Sequence, residues 1–181
     1  VLYVNGIALG VLELKRSTVS VSEGIRQNLT NQSEDFIQHF FSTMQWVMAG
    51  NDTQGLRYGT IQTPEKYYLT WKESSDVENL LDRALLQVCE KSRFLELIHD
   101  FVVFDAGVKK LCRPNQYFGV NAAHEYVRNR EGGVIWLRKD DLELWQLVDL
   151  YCRWRQLWEP KADGEHGARG RKQDAKFYVG L

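Results

Sequence analysis

The chain has 181 residues, of which 44% are hydrophobic and 26% charged. That is the size and composition of one globular domain, or one plus a fragment, and it excludes fibrous repeats and wholesale disorder. The 23 Lys and Arg nearly cancel the 24 Asp and Glu, for a net charge of −1, which excludes a uniformly basic nucleic-acid binder. No apolar run reaches the roughly 18 residues of a membrane span. Charge is uneven, however: residues 34–105 hold 6 basic and 12 acidic side chains, so a polyanion would favour the two ends over the middle. Cys89, Cys112 and Cys152 are far apart and form no CxxC, which suits buried, inert thiols in a reducing, cytoplasmic setting. The chain starts directly in strand-like sequence, without an initiator Met or a signal peptide, and is expected to be a piece of a longer protein.

Val1–Val4 reads as a short strand, Asn5-Gly6 as a type I′ turn, and Ile7–Lys15 as the returning strand of a hairpin. Ser20-x-x-Glu23 has the form of a capping box and predicts a helix to about Asn31. Helix is expected over Phe36–Phe41, strand over Met44–Ala49, a break at Gly50-Asn51-Asp52, and strand again over Arg57–Gln62. A second capping box, Ser75-x-x-Glu78, precedes a helix whose apolar stripe is Leu80, Leu81, Ala84, Leu85 and Val88. Further helices are expected from Ser92 to His99 and from Arg113-Pro114 to about Arg130, then a strand over Val134–Trp136. The stretch Leu142–Trp158 places Leu147, Tyr151, Trp154 and Trp158 on one helical face. The Gly- and Lys/Arg-rich run Gly164–Lys172 is expected to be disordered. Strands alternating with helices give an α/β fold, a mixed β-sheet flanked by helices.

Glu13-Leu14-Lys15 is the strongest chemical constellation. Strand side chains alternate, so Glu13 and Lys15 share one face and Leu14 points to the other. A carboxylate beside an ammonium at a strand end suits metal-dependent phosphodiester hydrolysis. Glu13 would supply a hard oxygen ligand to Mg²⁺, and Lys15 would orient water and stabilise charge building on phosphorus. On the triplet alone a solvent-facing ion pair is the favoured reading, since exposed pairs are the default for these residues. The four histidines, His39, His99, His124 and His166, are isolated and outside any HExxH or Cys/His cluster, which argues against zinc.

The hairpin through Val4-Asn5-Gly6, the segment Leu12–Arg16 and a following helix that carries Gln27 together resemble the amino-terminal nuclease region of type I restriction enzyme R (motor) subunits. These are PD-(D/E)xK nucleases fused to a helicase-like translocase. The likeness continues through Met48–Thr60, Tyr67–Lys72, Phe94–Phe101, Lys110–Phe118 and Arg130–Trp136. The resemblance implies a restriction-endonuclease-like core, with Glu13 as a metal carboxylate, Lys15 as the catalytic lysine and Gln27 as an accompanying glutamine. Where some members place a tyrosine one helical turn after that glutamine, this chain has Asn31. The family's first metal aspartate is expected one or two residues upstream of Val1, and a site without it is expected to lose metal affinity and turnover. Asp52, in the loop after the third strand, is the candidate substitute.

After Trp136 the family continues into an ATP-binding phosphate loop, whereas this chain reads Leu137-Arg-Lys-Asp-Asp-Leu-Glu. It has no glycine and no K-[ST] pair to cradle a phosphate. Gln116 matches the adenine-reading glutamine before that loop and is expected to be idle here; ATP belongs to the parent subunit only. The resemblance therefore divides the chain into a nuclease-like domain (1–105), a linker with the first motor elements (106–136), and an unassigned Trp-rich helix with a basic tail (137–181). Expected partners are DNA and, in the parent, the modification and specificity subunits of the restriction complex, with no membrane. The alternative is a non-catalytic relic that binds DNA or a protein, or a small dimeric module built on the Trp-rich helix.

Overall fold

The computed structural model describes residues 1–129, 133–136 and 177–180. The chain divides into two compact units, Val1–Pro114 and Asn115–Leu181. In the first, β1 (Leu2–Val4) and β2 (Ile7–Leu14) form the expected hairpin. Asn5 and Gly6 have φ of 50° and 80°, the left-handed pair that a type I′ turn requires. The chain then crosses over through α1 (Val21–Asn31) to β3 (Trp46–Asn51), which is parallel to β2. β4 (Gly55–Gly59) returns antiparallel to β3. The order β1-β2-β3-β4 makes a four-stranded mixed sheet, and helices flank it as the alternating pattern predicts.

Every residue of β3 is buried, because helices cover both faces of the strand. On one face, Ala49 packs with Val21 and Ile25 of α1, and Val47 packs with Phe41 and Met44. On the other, Trp46 stacks on Tyr58 with ring centroids 4.7 Å apart and meets Phe94 edge-on at 6.2 Å. Burial pushes the Tyr58 phenol far above its ordinary range, and its hydroxyl donates to the carbonyl of Cys112 at 3.0 Å. α2 (Leu80–Val88) and α3 (Lys91–Asp100) lie on this second face. Gly50 explains how α2 comes so near: a Cβ there would sit 2.6 Å from Leu81 Cδ1. The glycine expected to break the chain is therefore an interior strand residue, and the break falls after Asn51.

Three local readings change in the structure. Phe36–Phe41 does not form an α-helix; a 3-10 helix runs over Gln38–Thr43 instead. The helix after the second capping box starts at Leu80, and Asn79 caps it by accepting from Leu81 N at 2.9 Å and Asp82 N at 3.0 Å. Among the described residues, Ser75 Oγ accepts only from Val77 N, 3.2 Å away. A hairpin absent from the sequence reading, β5 (Val102–Asp105) with β6 (Val108–Leu111), turns through Ala106 and Gly107 at φ of 47° and 81°. This hairpin spans residue 105 and lies within the first compact unit.

α4 (Pro114–Arg128) opens on its proline, as expected. In the second unit, β7 (Gly133–Trp136) pairs in parallel with β8 (Phe177–Gly180). The expected helix over Leu142–Trp158 and the basic tail Gly164–Lys172 lie outside the described residues. No helix among the described residues is long and apolar enough to cross a membrane.

Candidate active site

Glu13 is the penultimate residue of β2, and Lys15 extends the strand by donating its amide to the Gly50 carbonyl at 3.0 Å. Glu13 pairs in register with Ala49, so it faces α1, and Lys15 follows it on the same face. Leu14 pairs with Gly50 and is exposed on the opposite face. Lys15 Nζ donates to Glu13 Oε1 at 2.9 Å and to Gln27 Oε1 on α1. Sequence alternation thus brings the first two residues together, and the βαβ crossover brings the third. The Lys15 and Glu13 side chains keep 19% and 25% of their exposure, so the pair is partly desolvated yet open to a ligand.

Gly24 allows this closeness. A Cβ at that position would lie 3.1 Å from Ala49 Cβ, 3.4 Å from Lys15 Cγ and 3.5 Å from Glu13 Cγ. A side chain there would force α1 or Ala49 to give by a few tenths of an ångström. Three further ties hold the start of α1 and the loop before it. Asn51 Nδ2 donates to the Val19 carbonyl at 2.7 Å, Gln54 Oε1 accepts from Val21 N at 2.7 Å, and Thr53 Oγ1 donates to the Ser17 carbonyl at 3.0 Å. Deeper in the packing, buried Asn28 donates to the Met48 carbonyl at 2.9 Å. The sequence reading missed Gly24, Asn51 and Gln54. Their visible signals were two: a glycine inside a predicted helix, and a polar cluster that resembles ordinary turn chemistry.

Asp52, the candidate substitute carboxylate, accepts from Asn79 Nδ2 at 3.3 Å. That bond ties it to the cap of α2, the helix on the face away from Glu13. Among the described residues, no three His, Cys, Asp or Glu side chains group to hold a metal. A Mg²⁺ held by one carboxylate together with water and substrate phosphate suits the donors present. Glu13 commits one oxygen to Lys15, and its other oxygen has no protein partner among the described residues. Asn31 ends α1. Gln116 is buried in the first turns of α4, and the segment where a phosphate loop would follow lies outside the described residues.

A helix-flanked mixed sheet whose second strand ends on a carboxylate–lysine pair is consistent with a nuclease-like core. Residues 1–66 match the family model described as the type I restriction enzyme R protein N terminus. The match supports a type I R-subunit fragment, and it spans the whole four-stranded sheet together with Glu13, Lys15 and Gln27. No curated protein matches the chain.

Proposed function

We propose that Glu13, Lys15 and Gln27 form the phosphodiester-cleaving site of a type I restriction R subunit, with double-stranded DNA as substrate and Mg²⁺ as cofactor. The observation that supports this reading is the convergence of a strand-end carboxylate, an ammonium and a helix amide on one partly exposed spot. Mg²⁺, when bound, would supply Lewis acidity at the phosphate. Glu13 provides a hard oxygen ligand through the carboxylate oxygen that Lys15 leaves open. Lys15 has three ammonium hydrogens, of which Glu13 and Gln27 take two. The third is available to the attacking water or to a non-bridging phosphate oxygen, where it stabilises the charge that grows as water adds to phosphorus. Gln27 contributes no charge; it fixes the Lys15 rotamer, so that less ordering remains to be done in the transition state. In the parent, the modification and specificity subunits and an ATP-driven motor would complete the enzyme in the cytoplasm.

The test is nicking of supercoiled plasmid with Mg²⁺, with EDTA, and by Glu13→Gln. The reading predicts metal-dependent nicking that Glu13→Gln abolishes while duplex binding persists. Binding without cleavage in the wild-type chain would instead favour the non-catalytic relic.

A further inference from the structure

The 3-10 turn Glu65–Tyr67 follows β4 and is bound to α1 through Glu65, and the segment leading into it is tied to the C-cap of α1. Arg26 grips Glu65 with two hydrogen bonds, of 2.9 Å and 3.3 Å, and reaches Glu23 at 2.8 Å. At the far end of the helix, Gln32 Oε1 accepts from Gln62 N at 2.6 Å, where Gln62 holds a positive φ of 58°. Tyr68 packs its ring against the Val21–Ile25–Ala49 cluster and anchors the turn from below. What this clamped turn presents to solvent is Lys66 and Tyr67, the latter 60% exposed. Lys66 Nζ lies 4.8 Å from the Tyr67 ring centroid and pairs with no carboxylate among the described residues. Arg26 neutralises much of the acidity beside it, and its hydrogen bond holds the Glu65 carboxyl below the ordinary range.

Arg26 and Gln27 are successive residues, about 100° apart around the helix axis. Gln27 reaches Lys15 on the β2 flank of α1, and Arg26 reaches Glu65 on the other. The cleavage site and the Lys66–Tyr67 turn therefore flank a single helix, about 10–12 Å across. The major groove of a duplex is about 12 Å wide, so a backbone seated at Glu13–Lys15 can bring further phosphates to the opposite flank.

We propose that Lys66 and Tyr67 form a second contact to duplex DNA, with Lys66 against a phosphate and Tyr67 against the adjoining sugar and base edge, so that the helix is straddled and the scissile bond is held in register. This inference rests on the assignment of Glu13, Lys15 and Gln27 as a DNA-cleaving site. Both residues are positioning groups, remote from the reacting atoms.

The test is duplex binding by the full chain, followed by fluorescence anisotropy in EDTA across a salt series, with nicking measured in parallel. One phosphate contact contributes about 0.9 to the slope of log affinity on log salt, so Lys66→Ala should shrink the affinity lost between about 50 and 200 mM salt roughly 3.5-fold. Lys66→Arg should restore the slope, and Lys91→Ala, an exposed lysine on α3, should leave it unchanged. Tyr67→Ala should raise the DNA concentration for half-maximal nicking several-fold with little change in the saturated rate, and Tyr67→Trp should rescue it. An unchanged slope in Lys66→Ala and unchanged nicking in Tyr67→Ala, in a wild type that binds and cleaves, would overturn this inference and leave the cleavage site standing. A wild type that neither binds nor cleaves would overturn both.

Discussion

Replacing Gly24 by alanine sets opposing terms of similar size against each other. Alanine removes the helix-interior penalty of glycine, about 0.8–1.0 kcal/mol, and buries one methyl group, about 0.8 kcal/mol. Against this stands overpacking, typically about 1–3 kcal/mol, since the new Cβ would be 3.1 Å from Ala49 Cβ. Ala49 sits in the buried strand β3 and has no rotamer by which to retreat. The Glu13 and Lys15 stems can move, but only by disturbing the ion pair. Gly24→Ala should therefore leave stability within about 1.5 kcal/mol of wild type, read from urea unfolding at unchanged m. Nicking by the same variant should drop by an order of magnitude or more, because a misplacement of less than about 1 Å in a catalytic group costs up to about 100-fold. A variant stabilised by the full propensity gain, with nicking intact, would refute the close packing of α1 on the site.

Other consequences are simpler to read. Asn79→Ala should destabilise the first unit by about 1 kcal/mol in denaturant unfolding, whereas Ser75→Ala should be near neutral, since Asn79 holds the cap. Burial pushes the Glu73 carboxyl up, but hydrogen bonds from Trp71 and Arg93 and the guanidinium charge outweigh it and hold the group below its ordinary range. The stability it contributes is therefore present above the unfolded value of about 4.3 and lost as pH falls through the lower folded value. Glu73→Gln should accordingly flatten the acid limb of a stability–pH profile. Burial pushes the Cys89 and Cys112 thiols up to about 11 and about 12, so peptide-resolved alkylation at pH 8 should mark both only after unfolding.

The sequence reveals the elements whose signals are local. The Asn5-Gly6 turn, the alternation that puts Glu13 and Lys15 on one face, and the Pro114 start of α4 each depend on a few neighbouring residues. The β5–β6 hairpin stayed hidden because its turn places Ala106 in the left-handed region, which alanine seldom adopts, so only Gly107 marked it. Ser75 matched the capping-box pattern four residues too early: Asn79 Oδ1 is the acceptor for Leu81 N and Asp82 N, while Ser75 Oγ accepts from Val77 N. Gly24 reads locally as a weak point in a helix and Gly50 as the start of a chain break. Their purpose is visible only when α1 and α2 are laid on opposite faces of β3. The attachment of Asp52 to Asn79 is likewise a long-range fact that no spacing carries.

Supercoiled plasmid nicking by wild type and Lys15→Ala, in Mg²⁺ and in Mn²⁺, tests the central claim most directly. Loss of one preorganised donor at a developing anion typically costs about 100- to 1,000-fold in rate. The account predicts a fall of that order in Lys15→Ala with the fold and duplex binding retained. Nicking that survives the substitution unchanged would contradict it, and would leave Glu13–Lys15 as a structural ion pair.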